Sequence, residues 1–461
     1  MSAKGAEFWY PRPGSGTEGY PLFTFDPGPD HASYIIEGQH RLTGTVRPSG
    51  AKNAVLPIMA AILLTKEPCT IVNVPALRDV SMMMGILAAL GARIETGMTA
   101  GQRSLTIQVK DIASTTGPPE LMGEIRSSIF IMGPLLAREG ECTVSYPGGC
   151  AIGPRPIDLH LKGLRLLGAS ISEEYGRITA RTTGLRGADI HLDFPSVGAT
   201  ENLMMAAVLA EGCTVIHNAA KEPEIVDLQD FLNLIGANIR GAGTDTIRII
   251  GRPSLGGGAH AVIPDRIEAG TLAIAACATG GDVRLAGTIP DHLLALTAKL
   301  GEMGAEITEE EDGSLRVRAD RRLRATDIKT LPYPGFATDL QPQIMALMSL
   351  ADGTSILTET VFEKRFNHVE ELRRMGADIR VDGRTAVIKG PARLTGTTVH
   401  ASDLRAGAGL VIAALAAEGI SVVRGVEHIE RGYEELELKL GSLGAVISKK
   451  DPYPKVHANT G

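Results

Sequence analysis

The chain has 461 residues, of which 44% are hydrophobic and only 4% aromatic, and its formal net charge at pH 7 is −7. This length exceeds what a single hydrophobic core usually holds, so we expect a globular α/β protein with two large domains. The acidic balance argues against a general nucleic-acid or membrane-surface binder, and no apolar stretch reaches the ~18 residues that a transmembrane helix needs.

The first 33 residues differ from the rest of the sequence. They combine many Pro and Gly residues with aromatic residues such as Trp9 and Tyr10. They contain no apolar run of the signal-peptide type, so we predict a flexible extension rather than a secretory signal. Together with an odd count of five cysteines, this favours a reducing cytoplasmic location.

The remaining sequence is a sixfold internal repeat. In each copy an apolar run ends in Gly-Ala and passes at once into a strand-like residue. The six glycines are Gly91, Gly168, Gly236, Gly304, Gly376 and Gly444. Their spacing of roughly seventy residues is too long for a helical solenoid, so each copy should be a complete supersecondary unit with two helices and several strands.

The two helices of each unit differ in character. The first is apolar nearly all round, as in residues 53–64, 203–210 and 410–417, which predicts a buried helix. The second carries charges, as in residues 370–374, and we expect it to face solvent.

Six units divide naturally into two domains of three. We expect the junction near Pro264, with residues 52–263 as the first domain and residues 34–51 plus 264–461 as the second. The cleft between two such halves is the default position for a ligand.

Cations occur where several of the buried helices should begin. Lys52, Arg126 and Arg405 stand in predicted first turns, where a positive charge opposes the helix dipole. Helix N-termini bind anions, so these cations predict a site for a polyanionic ligand. The alternative is that all three are solvated surface charges.

One cysteine departs from the repeat. Cys69, Cys142, Cys213 and Cys277 occupy regular repeat positions, which predicts buried small hydrophobic residues. Cys150 instead lies in a Gly- and Pro-rich insertion, residues 146–158. Such a segment is typical of a functional surface loop or lid. Arg155 in the same insertion could lower the pKa of the Cys150 thiol.

The sequence contains neither a metal-binding motif nor a cofactor-binding motif. The eleven histidines are scattered, without His-Glu-x-x-His or Cys-x-x-Cys spacing. A Gly-x-Gly-x-x-Gly segment after a strand and a P-loop are also missing. We therefore expect no metal and no cofactor, and chemistry that depends on Cys, Asp, Lys and Arg.

Several short stretches together resemble one enzyme family. They are SGAKN (49–53), the insertion 147–158, PSVGATE (195–201), PDR (264–266), TDLQ (338–341), FEKRF (362–366), DLR (403–405) and RGYE (431–434). The chain resembles the UDP-N-acetylglucosamine 1-carboxyvinyltransferases from about residue 35 to residue 448. The insertion with its cysteine distinguishes this family from the related shikimate enolpyruvyl transferases.

The resemblance implies a fold and a reaction. The fold is an α/β, two-domain, inside-out α/β barrel built from six βαβ-type repeats, which closes over its substrates. The reaction transfers the enolpyruvyl group of phosphoenolpyruvate to the 3-hydroxyl of UDP-N-acetylglucosamine and releases phosphate, and it opens peptidoglycan synthesis. The implied partners are these two small molecules, and the oligomeric state stays open.

The resemblance also implies residue roles. Cys150 is the general acid toward the phosphoenolpyruvate methylene and can form a covalent adduct, while Asp339 is the base at the sugar hydroxyl. Phosphoenolpyruvate is bound by Lys52, Asn53, Arg155, Arg405, Arg431 and Asp403. The nucleotide sugar is bound by Arg126, Arg155, Pro156, Ile157, Asp158, Leu159, Ser196, Val197, Asp339 and Val361.

Two alternatives remain open at this point. One is a diverged enolpyruvyl transferase that acts on another nucleoside phosphate. The other is a non-catalytic protein that binds a UDP-sugar as a sensor. The joint presence of Cys150 and Asp339 argues against the sensor, because binding alone does not require both an acid and a base.

Overall fold

The structure is a computed structural model that describes residues 32–146, 157–319 and 323–450. Within these residues the strands are β1 (Ser33–Glu37), β2 (Thr43–Val46), β3 (Cys69–Val72), β4 (Arg93–Thr99), β5 (Gln102–Gln108), β6 (Glu141–Ser145), β7 (Ser170–Glu174), β8 (Arg177–Arg181), β9 (Asp189–His191), β10 (Cys213–His217), β11 (Ile239–Arg240), β12 (Thr246–Ile250), β13 (Gly258–Ala261), β14 (Asp282–Leu285), β15 (Glu306–Glu309), β16 (Leu315–Arg318), β17 (Ile328–Lys329), β18 (Gly353–Thr358), β19 (Asp378–Asp382), β20 (Thr385–Gly390), β21 (Thr398–His400), β22 (Ile420–Arg424) and β23 (Val446–Lys450).

The same residues form fourteen α-helices and four short 3₁₀ segments. The α-helices are α1 (Lys52–Ala61), α2 (Arg78–Ala89), α3 (Pro119–Met122), α4 (Met132–Glu139), α5 (Asp158–Leu166), α6 (Val197–Ala207), α7 (Pro223–Leu234), α8 (Arg266–Ala278), α9 (Leu294–Met303), α10 (Gln341–Leu350), α11 (Val369–Arg374), α12 (Leu404–Ala416), α13 (Val426–Ile429) and α14 (Leu436–Ser442). The 3₁₀ segments are Ile62–Leu64, Arg126–Ile131, Pro290–Leu293 and Thr338–Leu340.

The strands form six small sheets, one for each repeat. Their strand orders are β13-β3-β5-β4, β6-β8-β7, β11-β12-β10-β9, β15-β16-β14-β2, β17-β18-β20-β19 and β21-β22-β1-β23. The three-stranded sheet β6-β8-β7 has only an isolated parallel bridge, Thr116 to Thr143. Each of the other five sheets has a paired parallel strand, for example β9 on β10. The α/β class is thus as expected.

The repeat glycines share one backbone conformation. Gly91, Gly168, Gly236, Gly304, Gly376 and Gly444 have φ values of 103°, 98°, 107°, 104°, 108° and 99°. An L-residue with a side chain rarely adopts such angles, whereas glycine does so at little cost. Each glycine follows the second helix of its unit and turns the chain into the next strand, so the motif reflects a steric requirement that recurs six times.

The first helices of the units are buried, as predicted. They are α1, α4, α6, α8, α10 and α12, and in α12 every residue from Arg405 to Ala416 is buried. Three of the four regular cysteines are buried, but Cys213 is partly exposed. That expectation was too broad. Side chains alternate between the two faces of β10, and Cys213 lies on the face that is only partly buried.

The second helices are only half exposed, so the expectation that they face solvent was partly wrong. In α11, Glu370 is exposed but Val369 and Leu372 are buried. In α7 most residues are buried, including the carboxylates of Glu224 and Asp227. These acids have partners in α8 and β13, which sequence periodicity does not reveal: Arg266 pairs with Glu224 and His260 with Asp227.

The buried apolar residues form two separate clusters. The first core draws on residues 51–262, and the second core draws on residues 34–46 and 267–443. The chain passes between them twice, and these two passages bond to each other: Ala51 N donates to Ile263 O at 2.8 Å and Asp265 N donates to Ser49 O at 2.8 Å. None of the described helices is both long enough and apolar enough to span a bilayer.

Candidate active site

Two of the predicted cations converge on a carboxylate that the sequence did not single out. Lys52 Nζ lies 2.7 Å from Asp79 Oδ2, and Arg431 Nε lies 3.0 Å from Asp79 Oδ1. Lys52 and Asp79 belong to α1 and α2 beside the first core, whereas Arg431 follows α13 beside the second core. Asp79 therefore joins the two halves and the two cations at one point, which we call the Asp79 cluster (Lys52, Asp79 and Arg431).

The Asp79 cluster is largely withdrawn from water. Lys52 is only 8% exposed, and burial lowers its pKa although Asp79 opposes that shift. Burial alone would raise the pKa of Asp79, but Lys52 and Arg431 outweigh it, so the net direction is downward. The carboxylate is thus ionised at neutral pH and holds two cations that face the junction of the cores.

A second cluster surrounds Asp339. Arg365 Nη2 lies 2.9 Å from Asp339 Oδ1, and Arg405 Nη2 lies 3.1 Å from Asp339 Oδ2. We call these three residues the Asp339 cluster. Asp339 lies in the 3₁₀ segment before α10, and Arg405 lies in the first turn of α12.

The two arginines of the Asp339 cluster retain unused donors. Arg405 Nε and Nη1 and Arg365 Nε are buried and have no hydrogen-bond partner among the described residues. Burial opposes the charge of Arg405, but the nearby carboxylate of Asp339 raises its pKa on balance. A buried guanidinium with free N–H groups can form strong hydrogen bonds to a carboxylate or phosphate ligand.

The two clusters are neighbours. The charge of Arg405 in the Asp339 cluster acts on Lys52 in the Asp79 cluster, lowering its pKa. The Tyr433 ring packs against Arg405, whose guanidinium carbon lies 5.4 Å from the centre of the ring. The Tyr433 hydroxyl accepts from Gln343 Nε2 at 2.9 Å, and the same nitrogen donates to Asp339 O at 2.9 Å. These bonds join α10 to Tyr433, and the Tyr433 ring packs against Arg405 of α12.

Two further predicted phosphoenolpyruvate residues lie next to these clusters. Asn53 is exposed beside Lys52 at the start of α1. Asp403 is the N-cap of α12, and its Oδ1 accepts from Arg405 N at 2.9 Å and from Ala406 N at 3.0 Å. This cap fixes the start of the helix that carries Arg405.

The predicted nucleotide-sugar residues near the first core gather around three helix starts. Arg126 opens the 3₁₀ segment Arg126–Ile131, Asp158 opens α5, and Ser196 caps α6 by accepting from Ala199 N. Asp158 is exposed, Arg126, Leu159, Ser196 and Val197 are half-buried, and Ile157 is buried.

A buried polar pair ties these helix starts together. Asn202 Nδ2 lies 3.1 Å from His160 Nδ1, and Asn202 Oδ1 accepts from Gly133 N at 2.7 Å. Burial lowers the pKa of His160 to about 3, and the charge of Arg126 acts in the same direction. His160 is therefore neutral at pH 7 and serves as a hydrogen-bonding group between α5 and α6.

Of the four remaining predicted site residues, one lies within the described residues and three lie outside them. Val361 is half-buried in the loop after β18, and its N–H donates to Glu359 Oε1 at 2.8 Å. Cys150, Arg155 and Pro156 lie outside the described residues, as does most of the predicted lid.

The three helix-start cations are all at least partly buried. Lys52 and Arg405 are buried and Arg126 is half-buried, so they are not simply solvated surface charges. Sequence reasoning missed Asp79, Arg365 and Glu359 as site residues. Arg365 lies within the FEKRF stretch, which was a usable signal. Asp79 resembles an ordinary acidic residue in the first turn of a helix.

Known proteins resemble this chain over most of its length. The sequence profile of EPSP synthase (3-phosphoshikimate 1-carboxyvinyltransferase) matches residues 36–440. "UDP-N-acetylglucosamine 1-carboxyvinyltransferase 1" of Carboxydothermus hydrogenoformans is 57% identical over 416 residues, which are 90% of this chain and 98% of the relative. The protein of the same name from Symbiobacterium thermophilum is also 57% identical, over 418 residues, which are 90% of this chain and 95% of the relative.

Solved structures give the same fold. The enolpyruvyl transferase NikO from Streptomyces tendae has a TM-score of 0.83 at 26% identity, with 92% of this chain and 99% of that chain covered. An EPSP synthase from Acinetobacter baumannii has a TM-score of 0.71 at 19% identity, with 91% and 100% covered, and it supports the fold alone. The chain belongs to the UDP-N-acetylglucosamine 1-carboxyvinyltransferases, a family of enolpyruvyl transferases.

Proposed function

We propose that this chain transfers the enolpyruvyl group of phosphoenolpyruvate to the 3-hydroxyl of UDP-N-acetylglucosamine, with release of phosphate, and so opens peptidoglycan synthesis in the cytoplasm. The observation that supports this most is the adjacency of the Asp79 and Asp339 clusters. They place four cations beside a carboxylate that can act as a base. Phosphoenolpyruvate carries roughly three negative charges at neutral pH, so it requires several fixed cations.

The cations suit the two ends of phosphoenolpyruvate. We assign Lys52 and Arg431, with Arg155 from the insertion, to the phosphate. We assign Arg405 and Arg365 to the carboxylate, because a guanidinium fork matches a carboxylate in shape. Asn53 and Asp403 support this end of the site from the starts of α1 and α12.

Asp339 is the proposed base. Both of its oxygens accept hydrogen bonds from arginines, so both are already engaged. A substrate carboxylate that takes over the guanidinium hydrogen bonds would release Asp339 to accept the proton of the sugar 3-hydroxyl. The hydroxyl oxygen then bonds to C2 of phosphoenolpyruvate, and Cys150 delivers a proton to the C3 methylene.

The second half of the reaction reverses the proton movements at C3. The tetrahedral adduct returns a proton from C3 to the Cys150 thiolate, and its bond to the phosphate oxygen breaks, so the vinyl group is restored. Phosphate leaves with the proton that Asp339 had taken. The cations stabilise the charge that develops on this adduct. Arg126, Ile157, Asp158, Leu159, Ser196, Val197 and Val361, with Arg155 and Pro156, would hold the nucleotide sugar in position.

The two cores support the proposed domain division. We propose residues 52–263 and residues 34–51 plus 264–461 as domains that close on the nucleotide sugar, with residues 1–33 as an extension. One domain supplies Cys150 and the other supplies Asp339, so closure is needed to assemble the acid and the base. The Arg431–Asp79 ion pair across the junction is consistent with such a closing interface.

The test is phosphate release by the purified protein with both substrates, and each substrate alone as a control. We expect release only with both substrates, unchanged in EDTA, and a product with the mass of the enolpyruvyl nucleotide sugar. A Cys150→Ser variant serves as the matched inactive protein. Turnover with another nucleoside phosphate but none with UDP-N-acetylglucosamine would instead support the diverged transferase.

A further inference from the structure

Glu359 is a fully buried carboxylate beside the site, and neither the family roles nor the mechanism above uses it. It is 0% exposed. Its Oε1 accepts from Thr330 Oγ1 at 2.8 Å, Val361 N at 2.8 Å and Phe362 N at 3.1 Å, and its Oε2 accepts from Thr338 Oγ1 at 2.9 Å. Four donors from three separate segments therefore meet on one side chain.

Such an arrangement needs a reason. Burying a carboxylate is costly unless hydrogen bonds replace its hydration, and the four donors to Glu359 are neutral hydroxyl and amide groups. An ionised carboxylate is only an acceptor, so every one of its partners must point a hydrogen toward it. The group consequently fixes the direction of each donor more strictly than a hydroxyl or an amide side chain would.

The donors belong to two segments that carry predicted substrate contacts. Thr338 opens the 3₁₀ segment that contains Asp339. Val361 and Phe362 form the loop after β18, and this loop leads into Arg365, which donates to Asp339 Oδ1. The loop and the Asp339 segment are thus joined twice, once through Glu359 and once through Arg365.

We propose that Glu359 is a positioning residue that holds Asp339 in register with the Val361–Phe362 loop, so that the base and the bound nucleotide sugar are aligned. The proposal rests on the proposed function, in which Asp339 is the base and Val361 contacts the nucleotide sugar. Glu359 acts through Thr338 on the base and through the two loop amides on the binding surface.

The alternative is that Glu359 merely anchors strands. Its bond to Thr330, just after β17, would serve that purpose, because Thr330 Oγ1 also accepts from Thr360 N at 3.0 Å. Thr338 and Thr330 are therefore a matched pair, since each donates one hydroxyl hydrogen bond to the same carboxylate and only Thr338 adjoins Asp339. Removing each hydroxyl in turn separates the two roles.

The experiment compares Thr338→Val with Thr330→Val. Both variants should lose thermal stability. Thr338→Val should also lose kcat on the order of tenfold, because a small displacement of a catalytic group is costly, while its KM for UDP-N-acetylglucosamine stays unchanged. Thr330→Val should keep kcat near the wild-type value, and Thr338→Ser, which restores the hydroxyl, should recover most of the loss.

A double-mutant cycle tests whether the effect passes through Glu359. In a Glu359→Met background, which offers no acceptor oxygen, Thr338→Val should add no further loss of kcat. Equal kcat in Thr338→Val and Thr330→Val, or no recovery in Thr338→Ser, overturns the positioning role. A wild-type protein that releases no phosphate would defeat the proposed function itself, whereas an active wild type with indistinguishable variants defeats only this inference.

Discussion

Replacing Asp79 with Asn tests the electrostatics of the Asp79 cluster most directly. The amide keeps the size of the side chain but removes the charge that holds Lys52 and Arg431. Removing one partner of a buried ion pair typically costs ~3–5 kcal/mol. We expect about 3 kcal/mol of unfolding free energy here, the lower end, because the Arg431 side chain is 33% exposed and Lys52 can release its proton.

The catalytic effect should depend on pH. Burial already lowers the pKa of Lys52, and Asp79 is the main influence that raises it again. Without Asp79 the pKa falls further, so Lys52 loses its proton at a lower pH and the phosphate loses a cation. We expect kcat/KM for phosphoenolpyruvate to fall about 10- to 100-fold at pH 8 and its alkaline limb to move to lower pH.

The assay is phosphate release at saturating UDP-N-acetylglucosamine with varied phosphoenolpyruvate, between about pH 6 and 9.5. Asp79→Glu retains the charge, so the alkaline limb of its kcat/KM profile should lie at the wild-type pH. Glu224→Gln is a matched control, because Glu224 forms another buried ion pair between the two cores, with Arg266; it should lose stability without moving the limb. An Asp79→Asn profile that superimposes on the wild-type profile would refute the assigned role of Asp79.

Further predictions concern the acid, the base, the insertion and two buried histidines. Asp339→Asn should lose at least ~10² in kcat, since the amide cannot accept the hydroxyl proton; near-normal turnover would place the base elsewhere. Cys150→Ser should lose most activity, whereas Cys150→Asp should retain activity that favours low pH and should resist alkylation by an epoxide phosphonate, as judged by intact mass. Protease cleavage within residues 146–158 should slow when UDP-N-acetylglucosamine is bound, and unchanged cleavage at saturation would count against a lid. Burial lowers the pKa of His160 to about 3 and of His368 to about 4, so the unfolded state binds more protons below about pH 6.5. The free energy of unfolding in urea should therefore fall as the pH drops below that value, less steeply in His368→Gln.

Local and periodic features of the fold could be predicted from the sequence. The glycine that ends each unit needs a positive φ, and a steric requirement repeated six times leaves a visible repeat. The first helices are predictable for a similar reason, because burial on all sides demands apolar residues on all sides. The predicted exposure of the second helices was wrong where burial depends on a distant partner. Glu224 in α7 is an example, because it is buried against Arg266 of another helix.

The site was predictable only in part, for the same physical reason. Helix-start cations break a local rule, so Lys52 and Arg405 were visible as exceptions. Asp79 breaks no rule, because an acid in the first turn of a helix is favourable, and its partner Arg431 lies 352 residues away. Glu359 likewise resembles a polar residue at the end of a strand until the three segments that meet on it are placed in space.

The two clusters explain how buried cations can persist without substrate. Lys52 and Arg431 share Asp79, and Arg365 and Arg405 share Asp339, so four cations face two carboxylates in the two clusters. On the proposed mechanism an anionic substrate would replace carboxylate hydrogen bonds that already exist, so each of the four cations has a carboxylate partner before binding. Because Asp339 is one of the displaced carboxylates, substrate binding would also free the base. Charge compensation and activation of the base would then be consequences of a single replacement of anions.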